Sequence, residues 1–147
     1  MNEHQFFTKI RWKIHLLSSS EKIYRFLNSN EGRSKFWAEN SLEKNNKIYF
    51  EFPNGYKWVS DIIERIPYKK FKIKYIDNSI TTFELIEDEN GGTNIELIDE
   101  NVKMEWKYDV LPGWVSVLLN LKAAVDYGID LRNHDKSKTW DEGFCDN

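Results

Sequence analysis

The sequence predicts an α+β domain: a curved antiparallel sheet of about six or seven strands around one long C-terminal helix, with two short helices after the first strand. Three observations carry that reading. Apolar and polar residues alternate in short runs between Phe6 and Ile98. The links between the middle runs are brief and rich in Asn, Gly and Pro, which favours hairpins. The stretch from Pro112 to Leu131 then switches to apolar residues at three- and four-residue spacing. The chain has 147 residues and shows no repeat, low-complexity tract or linker, so residues 1–147 read as a single domain with a single core.

The first run places Phe6, Thr8, Ile10, Trp12, Ile14 and Leu16 on one side and Phe7, Lys9, Arg11, Lys13 and His15 on the other, which is a half-buried strand. Ser18-Ser19-Ser20-Glu21 reads as a helix start, with a serine to cap free N–H groups and an acid at the positive end of the dipole. Ile23, Tyr24, Phe26 and Leu27 form its apolar face, and Asn28 to Asn30 breaks it. Glu31-Gly32-Arg33-Ser34 leads into a second short helix carrying Phe36 and Trp37.

A meander follows. Its strands are expected at Lys47–Phe52, Tyr56–Ile66, Phe71–Ile76, Thr81–Ile86, Thr93–Ile98 and Val102–Tyr108. Pro53-Asn54-Gly55, Asp77-Asn78-Ser79 and Glu89-Asn90-Gly91-Gly92 supply the turns. Links this short impose antiparallel neighbours, because a parallel crossover needs a dozen residues or more.

Pro112 is suited to open the last helix, where a missing N–H costs nothing. Trp114, Val117, Leu118, Leu121, Val125 and Gly128 lie along one face, widened by Val115, Leu119, Ala123 and Tyr127. Ser116, Asn120, Lys122, Asp126 and Asp130 hold the wetter side. A glycine inside a helix costs about 1 kcal/mol against alanine, so Gly128 marks close packing or a pocket mouth. The tail from Arg132 to Asn147 carries Trp140 and Phe144 and is expected to fold back onto the domain.

Charge excludes some functions. The formal net charge of -3 argues against a broad nucleic-acid footprint, which needs a basic face. Lys69, Lys70, Lys72 and Lys74 alternate with Phe71, Ile73 and Tyr75, the pattern of a solvated strand face. The lone Cys145 permits no intramolecular disulfide and suits a reducing compartment. No leader is legible in Met-Asn-Glu-His-Gln, and no run approaches the ~20 apolar residues of a membrane helix. A cytoplasmic protein with no membrane insertion is expected.

The order strand, two short helices, antiparallel meander, long C-terminal helix resembles the helix-grip fold of the START-like (SRPBCC) superfamily. Within it, the sequence is similar to bacterial proteins of the family homologous to the activator of the heat-shock protein 90 ATPase. The stretches that carry this likeness are Ser-Ser-Glu-Lys-Ile-Tyr-Arg-Phe-Leu after the opening strand, the hairpin Phe-Glu-Phe-Pro-Asn-Gly, and Gly113-Trp114 leading to Leu119-Asn120-Leu121-Lys122. The tail Thr139-Trp140-Asp141-Glu142-Gly143-Phe144 completes them. The resemblance spans essentially the whole chain. It implies an apolar space between sheet and long helix, used by relatives for lipids, sterols, polyketides or quinones; some relatives are cyclases and some co-chaperones.

The residues themselves offer little catalytic chemistry. His4, His15 and His134 have no His or Cys partner at metal-ligand spacing, so no metal site and no cofactor are expected. Nucleophile-elbow, P-loop and dinucleotide signatures are absent. Glu87-Asp88-Glu89 reads as a solvated run, Glu84 as facing away from the core, and Glu105 as a possible polar group of a cavity. The candidate ligand-binding residues are Trp37, Phe50, Trp58, Phe83, Trp114, Leu118, Leu121 and Val125. They form either a filled core or the lining of a cavity, and alternation alone leaves both open. The leading expectation is a binding protein for a small hydrophobic or amphipathic molecule, lipid-like or aromatic, without catalysis. The alternatives are a co-chaperone-like module with a chaperone as partner, and a cyclase or hydrolase acting on a hydrophobic substrate.

Overall fold

The structure, a computed structural model, describes residues 6–147. His4 and the Met1–Gln5 stretch in which no leader was legible lie outside the described residues. Seven strands, β1 (Phe7–Leu16), β2 (Asn40–Lys44), β3 (Lys47–Glu51), β4 (Lys57–Ile66), β5 (Lys70–Lys74), β6 (Ile80–Glu87) and β7 (Thr93–Lys103), form one antiparallel sheet. Its order is β1-β7-β6-β5-β4-β3-β2, so the first strand pairs with the last and β2 forms the far edge. Helices α1 (Ser20–Asn28) and α2 (Asn30–Ser34) separate β1 from β2, and α3 (Lys107–Tyr127) crosses the concave face.

Local chemistry accounts for most of the elements. Ser19 and Ser29 cap α1 and α2, accepting the backbone N–H of Lys22 and Gly32. Pro53-Asn54-Gly55 turns β3 into β4, with Gly55 at φ 89°. Strands β3, β5, β6 and β7 bury alternate residues in the core that also holds Trp114, Leu118, Leu121 and Val125 of α3: Ile48 and Phe50, Phe71 and Ile73, Phe83 and Leu85, Ile95 and Leu97.

Four expectations need correction. The strand β2 was missed. It enters β3 through Asn45 and Asn46, both with positive φ (52° and 62°), and this two-residue turn matches the twist of the strands. The separate strand expected at Val102–Tyr108 does not exist. β7 itself continues to Lys103 because β1 pairs along it as far as Phe7↔Lys103. A 3-10 turn at Met104–Trp106 then feeds α3, whose Pro112 lies inside the helix rather than at its start. Finally, α3 ends at Tyr127. Gly128 adopts a left-handed conformation (φ 65°), donating its N–H to Ala124 while Ile129 donates to Ala123, so it terminates the helix rather than packing within it. The faces of α3 shift accordingly: Asn120 is buried, while Leu119 and Tyr127 are exposed.

Two buried arginines fasten the helices and tail. Arg33 donates from Nε to Ser41 Oγ (2.6 Å), from Nη1 to the Leu27 carbonyl (2.9 Å) and from Nη2 to Asn30 Oδ1 (2.6 Å). Burial brings its pKa down to about 10. Arg132 holds the tail, donating to the carbonyls of Ala38 (2.9 Å) and Ser34 (2.6 Å) and pairing with Asp130 through Nε and Nη2. The tail therefore folds back as expected and brings Trp140 and Asn147 to the region beside α3.

Candidate functional site

A cleft of about 680 Å³ opens between the N-terminal half of α3 and one end of the sheet. Its position follows from the connections. The Pro53-Asn54 hairpin, the turn at Ile76–Asn78 and the tail converge there, while α3 lies across the opposite wall. Trp37, Trp58, Tyr75, Trp106, Trp114 and Val117 are among its apolar and aromatic lining residues. That volume lies within the range of about 300–1,000 Å³ typical of small-molecule sites.

The eight residues expected to line a cavity divide between two layers. Trp37, Trp58 and Trp114 border the cleft. Phe50, Phe83, Leu118, Leu121 and Val125 are buried in the core beneath it. The deep layer is packed: the Trp37 ring centroid lies 4.9 Å from Phe50, 5.5 Å from Phe83, 5.6 Å from Tyr75 and 5.9 Å from Trp114. Filled core and lined space therefore coexist.

Several polar groups of the cleft are engaged with one another. Trp37 Nε1 donates to the Tyr75 hydroxyl at 3.0 Å. Asp99, only 1% exposed, accepts from Trp114 Nε1 at 2.8 Å and from Thr81 Oγ1 at 2.9 Å. Burial pushes the Asp99 carboxyl above its ordinary value, opposed by the hydrogen bonds from Trp114, Thr81 and Ser79. Burial likewise raises the Tyr75 phenol. The buried Trp58 Nε1 and Ser60 Oγ find no partner among the described residues.

Glu105 is not the inward acid. It sits exposed in the 3-10 turn, where the chain has left the sheet and alternation no longer applies. Asp99 takes that place, and alternation along β7 contains the signal: Thr93, Ile95, Leu97 and Asp99 are all buried at period two. Ending the expected strand at Ile98 hid it. Tyr75 continues the buried series Phe71 and Ile73 in the same way. Glu84, as expected, lies between the inward Phe83 and Leu85. His15 is exposed, with Nδ1 2.9 Å from Asn94 Oδ1. His134 lies outside the cleft, bridging Glu39 Oε1 (2.8 Å) and Asp130 Oδ2 (2.7 Å). Among the described residues, no cluster of His, Cys, Asp and Glu could hold a metal, and no helix is long and apolar enough to cross a membrane.

No protein-family model and no curated protein sequence matches this chain. Solved structures do. The Aha1 dimer from Colwellia psychrerythraea superposes with a TM-score of 0.75 at 24% identity, covering 82% of this chain and 98% of that one. Protein SSP2350 from Staphylococcus saprophyticus gives 0.71 at 18% identity over 83% and 94% of the two chains. DynU16, a protein in the dynemicin biosynthetic locus, gives 0.72 at 8% identity, covering 82% of this chain but 48% of its own. At such identities the likeness establishes fold alone. The resemblance read from the sequence is thereby met at that level: this chain has a helix-grip-like fold that it shares with the Aha1 structure.

Proposed function

We propose that this chain is a binding protein for a small hydrophobic or amphipathic molecule, held in the cleft between α3 and the sheet. One observation carries the reading: a space of about 680 Å³, bordered by five tryptophans, lies beside the packed core. An aromatic wall with placed polar groups suits a ligand site of this size.

Thermal unfolding with and without a panel of apolar and aromatic probes tests it, read alongside tryptophan fluorescence. A ligand at about 100 times its Kd adds about 2.7 kcal/mol, or roughly 5–10 °C in Tm for a chain of this size. If no probe moves either Tm or fluorescence, the reading fails.

A protein-interaction role is the second reading. Its observation is an exposed apolar stripe on the outer face near the sheet edge, where Leu42 pairs with Tyr49 and Tyr49 with Val59 across β2, β3 and β4. Recovery of a chaperone on the wild-type chain but not on a Leu42→Ser, Val59→Ser variant supports this role, and equal recovery on both removes the stripe from consideration.

A further inference from the structure

The cleft has an electrostatic character that an ordinary greasy pocket lacks. Asp99 is almost fully buried at its floor, yet its carboxyl meets only neutral donors, the Trp114 indole and the Thr81 and Ser79 hydroxyls. Among the described residues it forms no ion pair. A buried carboxylate without a cation is costly, and burial accordingly lifts its pKa.

The remaining charges of the lining do not supply the missing cation. Lys103 is committed to Asp77 at 2.7 Å, and Arg132 to Asp130 and two carbonyls. That leaves Asp99, Asp109 and Asp141 against Lys57 alone, so the cleft carries net negative charge. Its walls are aromatic. Tyr75 and Trp114 lie 5.3 Å apart beside Asp99, and Trp58 and Trp106 stand nearer the mouth, with Trp106 46% exposed. Aromatic π-systems attract cations, most strongly where water is excluded.

We infer that the occupant of the cleft is an organic cation: an amine or quaternary ammonium group on an apolar body, its charge facing Asp99 and its body against the tryptophans. The inference rests on the ligand-binding reading above and narrows it. The cation would supply the counter-charge that Asp99 lacks, and the ring walls would favour it over an uncharged body of equal shape. An anionic amphiphile would meet Asp99, Asp109 and Asp141 and be rejected.

The test compares benzyltrimethylammonium with its neutral carbon isostere, neopentylbenzene, by tryptophan fluorescence titration on the full chain. The cation is expected to bind at least about fivefold more tightly than the neutral probe. The Asp99→Asn variant is expected to close that gap by weakening binding of the cation. If the neutral probe binds within fivefold of the cation or better, the cation inference is overturned and the ligand-binding reading stands. Binding of neither, with no Tm shift from any apolar probe, removes both. Should Asp99→Asn fail to fold, as read by near-UV circular dichroism, the wild-type ratio decides by itself at the same fivefold line. A gap that persists in a folded Asp99→Asn variant also overturns the assignment of Asp99 as counter-ion.

Discussion

The indole nitrogen of Trp114 donates to Oδ2 of Asp99 across 2.8 Å, joining the long helix to the last strand at the floor of the cleft. Thr81 of β6 takes the other oxygen at 2.9 Å. One carboxyl therefore ties three elements together, and its protonation state bears on both stability and binding. Neither donor carries charge, so burial prevails over hydrogen bonding and the carboxyl is raised.

The sign of the pH effect follows. With its native pKa above the unfolded value of 3.8, Asp99 binds its proton more readily in the folded chain. Its contribution is most favourable below the unfolded pKa and is lost as pH rises through the native one. Asp99→Asn cannot titrate. The Tm of the wild type minus that of Asp99→Asn is therefore expected to fall as pH rises from below 3.8. Contributions from Asp130, Asp135 and Glu142, which are lowered, cancel in the difference. A difference that stays flat with pH would refute the assignment.

Much of this architecture was legible in the sequence because period-two and period-three-to-four patterns report burial directly. The alternation of Lys47–Phe52 and Phe71–Ile76 located β3 and β5 closely, and Trp114, Leu118, Leu121 and Val125 marked the buried face of α3. Legibility failed where backbone conformation decided the outcome. Asn45-Asn46 signals a turn only because both residues adopt positive φ, and Gly128 stops a helix whose apolar pattern runs on to Ile129 and Leu131. Of the residues that border the cleft, Trp37, Trp58 and Trp114 were among the sequence candidates. Asp99 was not, since an acid in an apolar series reads as the end of a strand unless its partners Thr81 and Trp114, 18 and 15 residues away, are known.

The tail offers a second pH-dependent contact. His134 lies between Asp130 and Glu39, and its hydrogen bond to Asp130, with that to Glu39, outweighs burial and raises its pKa above 6.5. A histidine raised in this way contributes fully below pH 6.5 and loses the contribution as pH climbs through the native value. His134→Gln should lower Tm at pH 6 and leave it unchanged at pH 9. Because the imidazole is partly exposed, solvent screening holds the effect under about 1 kcal/mol, or roughly 2–4 °C. Equal loss at both pH values would point to packing or to the positive φ of His134 (55°) instead.

Arg132 should matter more. Its guanidinium is buried and satisfies the Ser34 and Ala38 carbonyls while holding Asp130, whose pKa those bonds and His134 bring to about 2 against the effect of burial. Arg132→Ala strands two backbone acceptors and frees the tail that carries Trp140 to the cleft. We expect a loss of about 2–4 kcal/mol in urea unfolding, with faster hydrogen exchange from Ser34 to Asn40 and along Asn133–Asn147. Arg132→Lys keeps the charge but not the fork, so it should recover less than half of that loss. Full recovery by lysine would show that charge alone suffices.

Two glycines separate steric from conformational need. At Gly32, a Cβ would come within 2.5 Å of the Phe26 Cα and carbonyl oxygen, both backbone atoms, so α1 and α2 would have to move apart. At Gly128 the space is open, but φ is +65°. Gly32→Ala should therefore cost about 1–3 kcal/mol or more through overpacking, and Gly128→Ala about 1–2 kcal/mol through its left-handed backbone. Asparagine distinguishes the causes, because it tolerates the left-handed region but is bulkier than alanine. Gly128→Asn should be milder than Gly128→Ala, and Gly32→Asn harsher than Gly32→Ala. Denaturant midpoints of the four variants check this, and the same ranking at both sites would refute one of the two causes.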